Sequence, residues 1–197
     1  MTLFLEIDDT LFHTFIYDEN FGFMSDPYPR EPDHILLYGE KSIPIRVYMR
    51  DFAHEFVKYL KDNKHLIEPI VYTSGVKGYA DLLLKILDPN NEVFEHRLYQ
   101  TACYTFEKKD EDIFYFIKDI SRFKQYRDMK RAVILDPNPL NFMMSPENGM
   151  PFVQYTAELH TGVGQKDEYL IGMTEHVNDL LKAGDVRQFL RENYNVR

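Results

Sequence analysis

Short apolar runs, each followed by polar residues, divide the chain into predicted strands. The first run covers Thr2 to Leu5, the second Ile67 to Tyr72 and the third Ala132 to Leu135. A short apolar run that ends in a polar turn is typical of a strand buried inside a sheet. A further strand is predicted from Met150 to Tyr155, after the turn at residues 146–149. These four runs are the candidates for a central sheet.

Between these strands, apolar residues recur at intervals of three and four, which is the spacing of an amphipathic helix. Asp51 is placed to cap a helix that ends near Asn63, and a second helix follows Gly75. The C-terminal part is predicted to be helical at residues 167–181 and 186–194. Strands that alternate with helices predict an α/β fold with a Rossmann-like, mostly parallel sheet and helices on both faces.

Other stretches predict a small β insertion in this fold. Residues 34–38 and 43–49 are strand-like runs joined by four residues that begin with Gly39, which is a hairpin signal. Short extended pieces are also predicted at residues 94–99 and 103–106. Loops are predicted at residues 15–34, which are rich in proline and aromatic residues, and at residues 108–112, which are charged.

Three of the predicted strands stop at a polar residue with chemical capacity. These residues are Glu6, Thr73 and Asp136. Right-handed crossovers bring the C-terminal ends of parallel strands to one edge of the sheet, where ligands bind in open α/β folds. Glu6 also begins a cluster with Asp8 and Asp9, and clustered carboxylates repel one another unless a cation or a shared proton relieves them. The sequence therefore predicts a site at this edge.

Length and composition favour a single globular domain over residues 1–197. A net charge of −9 and a pI of about 5.2 argue against direct nucleic-acid binding, which needs a basic surface. The single cysteine, Cys103, favours a reducing, intracellular compartment. The nucleus or cytoplasm is expected in preference to the mitochondrion, because the sequence shows no presequence. No apolar run approaches the roughly 18 residues that span a membrane, so no membrane association is expected. Carboxylates from Glu6 onward argue against a signal peptide.

The segment Leu5-Glu6-Ile7-Asp8-Asp9-Thr10-Leu11 resembles the first motif of the haloacid-dehalogenase superfamily, Asp-x-Asp-x-Thr. More narrowly, it resembles the branch of the C-terminal-domain phosphatases of RNA polymerase II, also described as NLI-interacting-factor-like. The first aspartate of that motif is the phosphoryl-accepting nucleophile of the family, and Glu6 occupies its position here. Whether the chain is an enzyme depends on this substitution.

Further segments resemble the family's motifs in the same order and cover the chain from Leu3 to about Leu190. They are Val47 to Phe52, Val71 to Gly75, Tyr79 to Asp81, His96 to Tyr99, Lys118 to Ser121, Val133 to Pro139, Pro146 to Gly149 and Asp185 to Leu190. Each segment alone is a weak signal, but their order and spacing together make the resemblance specific.

The resemblance implies two-step phosphoryl transfer that depends on Mg²⁺, which neutralises phosphate charge. Glu6 takes the nucleophile position and Asp8 that of the general acid and base. The implied phosphate-binding residues are Thr73, Ser74 and Lys118, of which Thr73 and Lys118 also count as catalytic. The implied metal ligands are Glu6, Asp8, through its backbone carbonyl, and Asp136.

Two departures from the family pattern argue against efficient turnover. Glu6 is one methylene longer than aspartate, and a displacement of about 1 Å can cost about 100-fold in rate. Pro137 replaces a residue that can ligate Mg²⁺, so the sequence predicts weak metal binding.

Three functions remain open from the sequence alone. The favoured one is a pseudophosphatase, or strongly impaired phosphatase, that acts by binding a protein partner or phosphoprotein. The alternatives are an active Mg²⁺-dependent phosphoserine/threonine protein phosphatase and a domain like the mitochondrial presequence receptor. The sequence leaves the oligomeric state open.

Overall fold

The computed structural model describes residues 1–16, 30–108, 113–157 and 166–194. The strands in these residues are β1 (Thr2–Leu5), β2 (Phe12–Ile16), β3 (His34–Tyr38), β4 (Ile43–Met49), β5 (Glu68–Tyr72), β6 (His96–Leu98), β7 (Tyr104–Lys108), β8 (Ile113–Ile117), β9 (Ala132–Asp136) and β10 (Gly149–Pro151). The α-helices are α1 (Ala53–Asp62), α2 (Lys77–Leu87), α3 (Tyr169–Lys182) and α4 (Val186–Tyr194). No helix in these described ranges is both long and apolar enough to cross a membrane.

The central sheet has five parallel strands in the order β10-β9-β1-β5-β6. In β1, Leu3 lies beside Pro69 of β5 and Val133 of β9. The predicted adjacency of these three strands is therefore confirmed. Their C-terminal ends lie side by side at one edge of the sheet, as the crossover rule for parallel strands requires.

Both faces of the sheet are covered. Successive side chains of β1 point to opposite faces, and each face packs in a cluster of its own. Leu3 and Leu5 pack in one cluster with buried residues of all four α-helices. Phe4 packs in a second cluster with Ile120 and Phe142, which belong to short 3-10 helices at Ile120–Phe123 and Pro139–Phe142. The predicted parallel α/β sheet with helices on both faces is confirmed, and 3-10 turns cover the second face.

Two smaller sheets form the β insertion. Strands β2, β4 and β3 make an antiparallel sheet, and β7 and β8 make a two-stranded antiparallel hairpin. The predicted hairpin at residues 34–38 and 43–49 corresponds to β3 and β4. Sequence analysis gave no strand to β2 or β8. In β2, His13 and Thr14 interrupt the apolar run. β8 is an apolar run that ends at Lys118, so the rule that identified β1, β5 and β9 could also have identified it.

The predicted helix cap at Asp51 is wrong. Phe52 occupies the N-cap position of α1 with a left-handed φ of 63°, and no side chain caps this end. The Asp51 carboxylate instead accepts a hydrogen bond of 2.9 Å from the backbone amide of Asp167. A contact with a residue 116 positions away replaces the local cap, and propensity rules do not include such contacts.

The boundaries of other elements also differ from the predicted ones. The predicted strand at Met150 to Tyr155 shrinks to β10, because the chain then leaves the sheet and the Tyr155 amide donates to the Asp9 carbonyl at 2.7 Å. The predicted loop at residues 15–34 begins inside β2, and its residues 17–29 lie outside the described residues. Of the predicted loop at 108–112, residues 109–112 also lie outside them.

Gly149 and Gly172 give a matched pair of stability tests. A Cβ at Gly149 would overlap the buried ring of Phe142, whereas one at Gly172, inside α3, meets no heavy atom within 4 Å. We expect Gly149→Ala to lower the free energy of unfolding by about 1–3 kcal/mol. We expect Gly172→Ala to raise it by about 0.5–1 kcal/mol, because alanine favours helix. Urea unfolding measures both, and a neutral Gly149→Ala would contradict the packing described for Phe142.

Candidate active site

The ends of three neighbouring strands place three of the predicted residues together. Glu6 follows β1, Thr73 follows β5 and Asp136 is the last residue of β9. Lys118 follows β8 and reaches the same point from the insertion hairpin. All four side chains are buried, at 3% exposure or less. Buried charges of this kind are stable only when they are paired.

Lys118 pairs with two carboxylates at once. Its ammonium donates to Glu6 Oε2 and, at 2.5 Å, to Asp136 Oδ2. The Lys118 backbone amide donates to the Asn141 carbonyl, also at 2.5 Å, which fixes the start of the side chain. One cation thus joins the ends of β1 and β9.

The remaining oxygen positions of both carboxylates are also occupied. Glu6 Oε1 accepts the Ile7 amide at 2.9 Å, and Oε2 accepts the amide and hydroxyl of Ser74 at 3.2 and 3.3 Å. Asp136 accepts the Asn138 amide at 2.8 Å and the Asn141 side-chain amide on both oxygens, at 3.1 and 3.0 Å. A carboxylate has about four lone-pair sites, so both groups have a full set of donors.

The pKa values of the two carboxylates that share Lys118 shift in opposite directions. Burial by itself would raise the pKa of Glu6, but the charge of Lys118 and hydrogen bonds from Lys118, Thr73 and Ile7 lower it overall. Burial and the charge of Glu6 raise the pKa of Asp136, although Lys118 opposes them. Burial would lower the pKa of Lys118, but the two carboxylates raise it. Lys118 is therefore charged at neutral pH, and Glu6 is the carboxylate that is its stronger partner.

Asp8, the predicted general acid and base, is held by a tyrosine. The Tyr79 hydroxyl donates to Asp8 Oδ1 and also forms a 2.7 Å hydrogen bond with the Thr14 hydroxyl. Burial and the charges of Glu6 and Asp9 raise the pKa of Asp8 to about 7, against the effect of the Tyr79 hydrogen bond. This value is suited to proton transfer near neutral pH.

The site opens into a cleft of about 350 Å³, which is acidic. Asp9 stands at its rim with a left-handed φ of 53°, and its carboxylate contacts His13 at 2.7 Å and Gln154 at 2.8 Å. The described residues that line the cleft are Glu6, Asp8, Asp9, Ser74, Asp136, Pro137, Asn138, Pro139, Asn141 and Gln154. Four of them are carboxylates, and none of these lining residues is basic.

Arg50 supports the turn behind this cleft. Its buried guanidinium donates to the Val153 carbonyl at 2.8 Å and pairs with Asp167 at 2.6 Å. It also lies over the ring of Tyr169, 4.4 Å from the ring centroid. A weaker hydrogen bond of 3.5 Å reaches the carbonyl of Thr10, the threonine of the first motif. Arg50 thereby joins the site turn to the segment that leads into α3.

The arrangement does not fit Mg²⁺. Every oxygen of Glu6 and Asp136 already accepts donors, and Lys118 lies between them. Pro137 lines the cleft but offers no side-chain ligand. Within the described part of the chain, no group of three or more His, Cys, Asp or Glu side chains is arranged to hold a metal. A Mg²⁺ ion could bind Glu6 and Asp136 only by displacing Lys118 or the other donors around them.

The predicted site residues Glu6, Thr73, Ser74, Lys118 and Asp136 thus form one cluster, and Asp8 lies at its edge. Their roles in catalysis, phosphate binding and metal binding remain predictions. Sequence analysis gave no role to Tyr79, which it named only as part of a motif segment, and it did not single out Asn141. A tyrosine hydroxyl in the first turn of a helix that follows a site strand is a signal that could have identified Tyr79.

Lys118→Met tests the shared ion pair. We expect a loss of about 3–5 kcal/mol in the free energy of unfolding at neutral pH, because two buried carboxylates lose their cation. Lys182→Met is the matched control, since Lys182 pairs with Asp179 at 3.0 Å on the surface and its side chain is 76% exposed, so little change is expected. Denaturant unfolding of both variants measures the difference.

The pH dependence of the Lys118→Met variant provides an internal check. Without Lys118, burial raises the pKa of both carboxylates in the folded state. Protonation at low pH then removes their buried charges and reduces the destabilisation of the variant. A raised folded-state pKa gives stability that is present at low pH and lost as pH rises. The gap between parent and variant should therefore narrow from about pH 7 to about pH 4. A gap that stays constant over this range would contradict the electrostatic explanation.

Comparisons with known proteins agree with this geometry. A model of the NLI interacting factor-like phosphatase family matches residues 1–187. The "CTD small phosphatase-like protein 2" of Dictyostelium discoideum is 25% identical over 100% of this chain and 30% of its own length. The "Probable C-terminal domain small phosphatase" of the same organism is 28% identical over 98% of this chain and 55% of its own length.

A human relative and two solved structures give the same picture. The human "Carboxy-terminal domain RNA polymerase II polypeptide A small phosphatase 1" is 24% identical over 95% of this chain and 62% of its own length. The structure of Fcp1, described as an essential RNA polymerase II CTD phosphatase, matches with a TM-score of 0.54 and 22% identity over 92% of this chain and 48% of its own. Fission yeast Fcp1 bound to beryllium fluoride matches with a TM-score of 0.56 and 21% identity over 98% of this chain and 54% of its own.

At these identities the solved structures establish only that this chain shares the α/β fold of Fcp1. The chain spans between 30% and 62% of the length of the three relatives named above. The family model, in contrast, matches nearly the whole chain, and the matched range includes the residues gathered at the sheet edge. The chain belongs to the NLI interacting factor-like phosphatase family.

Proposed function

We propose that this chain is a pseudophosphatase, or a strongly impaired phosphatase, that acts by binding a protein. The observation that supports this proposal most directly is the position of Lys118 between Glu6 and Asp136, both of which have a full set of donors. A carboxylate that attacks phosphorus needs a free oxygen that points into the cleft. Glu6 offers its oxygens to Lys118, Ser74 and backbone amides instead.

The longer side chain of Glu6 explains this engagement. The extra methylene lets the carboxylate reach the ammonium of Lys118 and the Ser74 amide, 68 residues away in the chain. A working site must hold its reacting groups within about 0.5 Å of the productive geometry. Glu6 would have to give up several buried hydrogen bonds before it could act as a nucleophile.

A second candidate function is an active phosphoprotein phosphatase. It is favoured by Asp8, whose pKa is raised to about 7 by burial and by the charges of Glu6 and Asp9. A carboxyl group with this pKa can donate and accept a proton at neutral pH, which is the role of the family's second aspartate. The two candidates differ in whether the parent chain hydrolyses phosphate esters.

Repair of the two departures tests the first candidate. Glu6→Asp should restore the nucleophile's reach, and Pro137→Asn should supply an oxygen ligand for Mg²⁺. We expect each single variant to stay near the parent and the double variant to gain more than the product of the single effects, because the groups act as a unit. Asp8→Asn added to the double variant should abolish the gain. Mg²⁺-dependent hydrolysis of an aryl phosphate and of a phosphoserine peptide measures all five proteins.

One outcome would refute the proposal, and a second would change only the explanation of the inactivity. A parent as fast as the double variant would make the chain an active phosphatase and support the second candidate. A double variant that folds and shows a Mg²⁺-dependent rise in melting temperature, yet remains inactive, would place the cause of inactivity outside Glu6 and Pro137.

A further inference from the structure

An apolar groove lies beside the acidic cleft and is separate from it. It has a volume of about 330 Å³ and is lined by Phe106, Tyr115, Ile117, Leu140 and Met143. The first three belong to the β7–β8 hairpin, where Phe106 and Tyr115 face each other across the strands. The last two belong to the turn that follows β9. The five described lining residues are all apolar or aromatic, so the groove suits a hydrocarbon side chain.

Much of this apolar surface is open to solvent. Phe106 is 57% exposed, Leu140 48% and Met143 54%. Tyr104, on the same face of the hairpin as Phe106, is 54% exposed. A contiguous apolar surface of several large side chains is uncommon on a protein that has no partner there.

One turn separates the groove from the cleft. Pro139 and Asn141 line the cleft, whereas Leu140, between them, lines the groove. An extended peptide advances about 3.3 Å per residue, so two or three residues are enough to cross such a turn. A single short segment can therefore place one side chain in the groove and another in the cleft.

The charge of the cleft decides which side chain would enter it. Glu6, Asp8, Asp9 and Asp136 line the cleft, and no lysine, arginine or histidine does so among the described residues. Lys118 is fully buried, and its charge is shared by Glu6 and Asp136. Four carboxylates stand against the single buried cation of Lys118, so these groups carry a net negative charge that disfavours a phosphate dianion and favours an ammonium or guanidinium group.

We propose that the groove and the cleft together dock an extended segment of a protein partner in which a bulky apolar residue stands two or three positions from a lysine or arginine. The apolar side chain fills the groove formed by Phe106, Tyr115, Ile117, Leu140 and Met143, and the basic side chain enters the cleft beside Asp9. The proposal rests on the proposed protein-binding function and assigns the chemistry of the partner. It makes the unmodified basic segment, and not a phosphorylated one, the preferred ligand.

Four labelled peptides test this chemistry with the full chain. The first is a nine-residue Ser/Gly peptide with one leucine and one arginine two positions apart. The others replace the arginine by serine, the leucine by serine, or the arginine by phosphoserine. Fluorescence anisotropy at low salt should show saturable binding of the first peptide. Each replacement should weaken binding about tenfold or more, and the phosphoserine peptide should bind least.

Variants of the chain test which of its residues contact the leucine and which contact the arginine of the peptide. Leu140→Ser should weaken the Arg–Leu peptide about tenfold without affecting the Leu-less peptide. Asp9→Asn should weaken the Arg-containing peptides only, and asparagine tolerates the left-handed backbone at this position. Tyr126→Ser is the matched control, because Tyr126 is 72% exposed and lines a different groove, so the affinity should not change. Urea unfolding confirms that each variant is folded.

Several results would overturn the proposal. They are no saturable binding of the Arg–Leu peptide at about 1 mM and low salt, equal or tighter binding of the phosphoserine peptide, or an equal effect of Tyr126→Ser. Self-association that Leu140→Ser abolishes would assign the groove to a second copy of the chain and also overturn it. Aryl phosphate hydrolysis is measured on the same preparation. Activity there refutes the proposed function, whereas an inactive chain that binds no peptide refutes only the docking.

Discussion

The structure depends on one buried ammonium group shared by two carboxylates. Lys118 joins Glu6 at the end of β1 to Asp136 at the end of β9, in a place where water does not compensate any of the three charges. Buried ions cost several kcal/mol each to remove from water, and only close pairing with further hydrogen bonds offsets this cost. The surrounding donors from Ser74 and Asn141 complete that pairing. The three charged groups at the sheet edge are therefore paired with one another and with neighbouring donors in the absence of any ligand.

The elements that local pattern determines were predictable. β1, β5 and β9 are apolar runs that end in polar residues, so their burial and their common edge follow from the sequence. β8 is an apolar run that ends at Lys118, so the same rule could have identified it. β2 was not predictable in this way, because polar residues interrupt its apolar run and it becomes a strand through pairing with β4. Asp51 failed as a cap for the same reason, since its hydrogen bond goes to Asp167, far along the chain.

The candidate site was also predictable only in part. Residue types and motif order identified Glu6, Asp8, Thr73, Lys118 and Asp136 as the members of one site. They could not indicate that Glu6 contacts Lys118, because this depends on how the two side chains are directed in the packed interior. They also could not indicate that Tyr79 holds Asp8, or that Leu140 points away from its neighbours Pro139 and Asn141 into a separate groove. Such facts depend on side-chain directions, which motif spacing does not encode.

The complete burial of Lys118 has a consequence for the chemical reactivity of the chain. An amine-reactive reagent modifies exposed lysines such as Lys182 directly, but it can reach Lys118 only when the sheet edge opens. The rate at which Lys118 is labelled then reports the population of that open state, as amide hydrogen exchange does for a buried amide. Lys118 is thus a natural probe of local opening at the site, and mass spectrometry can follow its modification without any substitution in the chain.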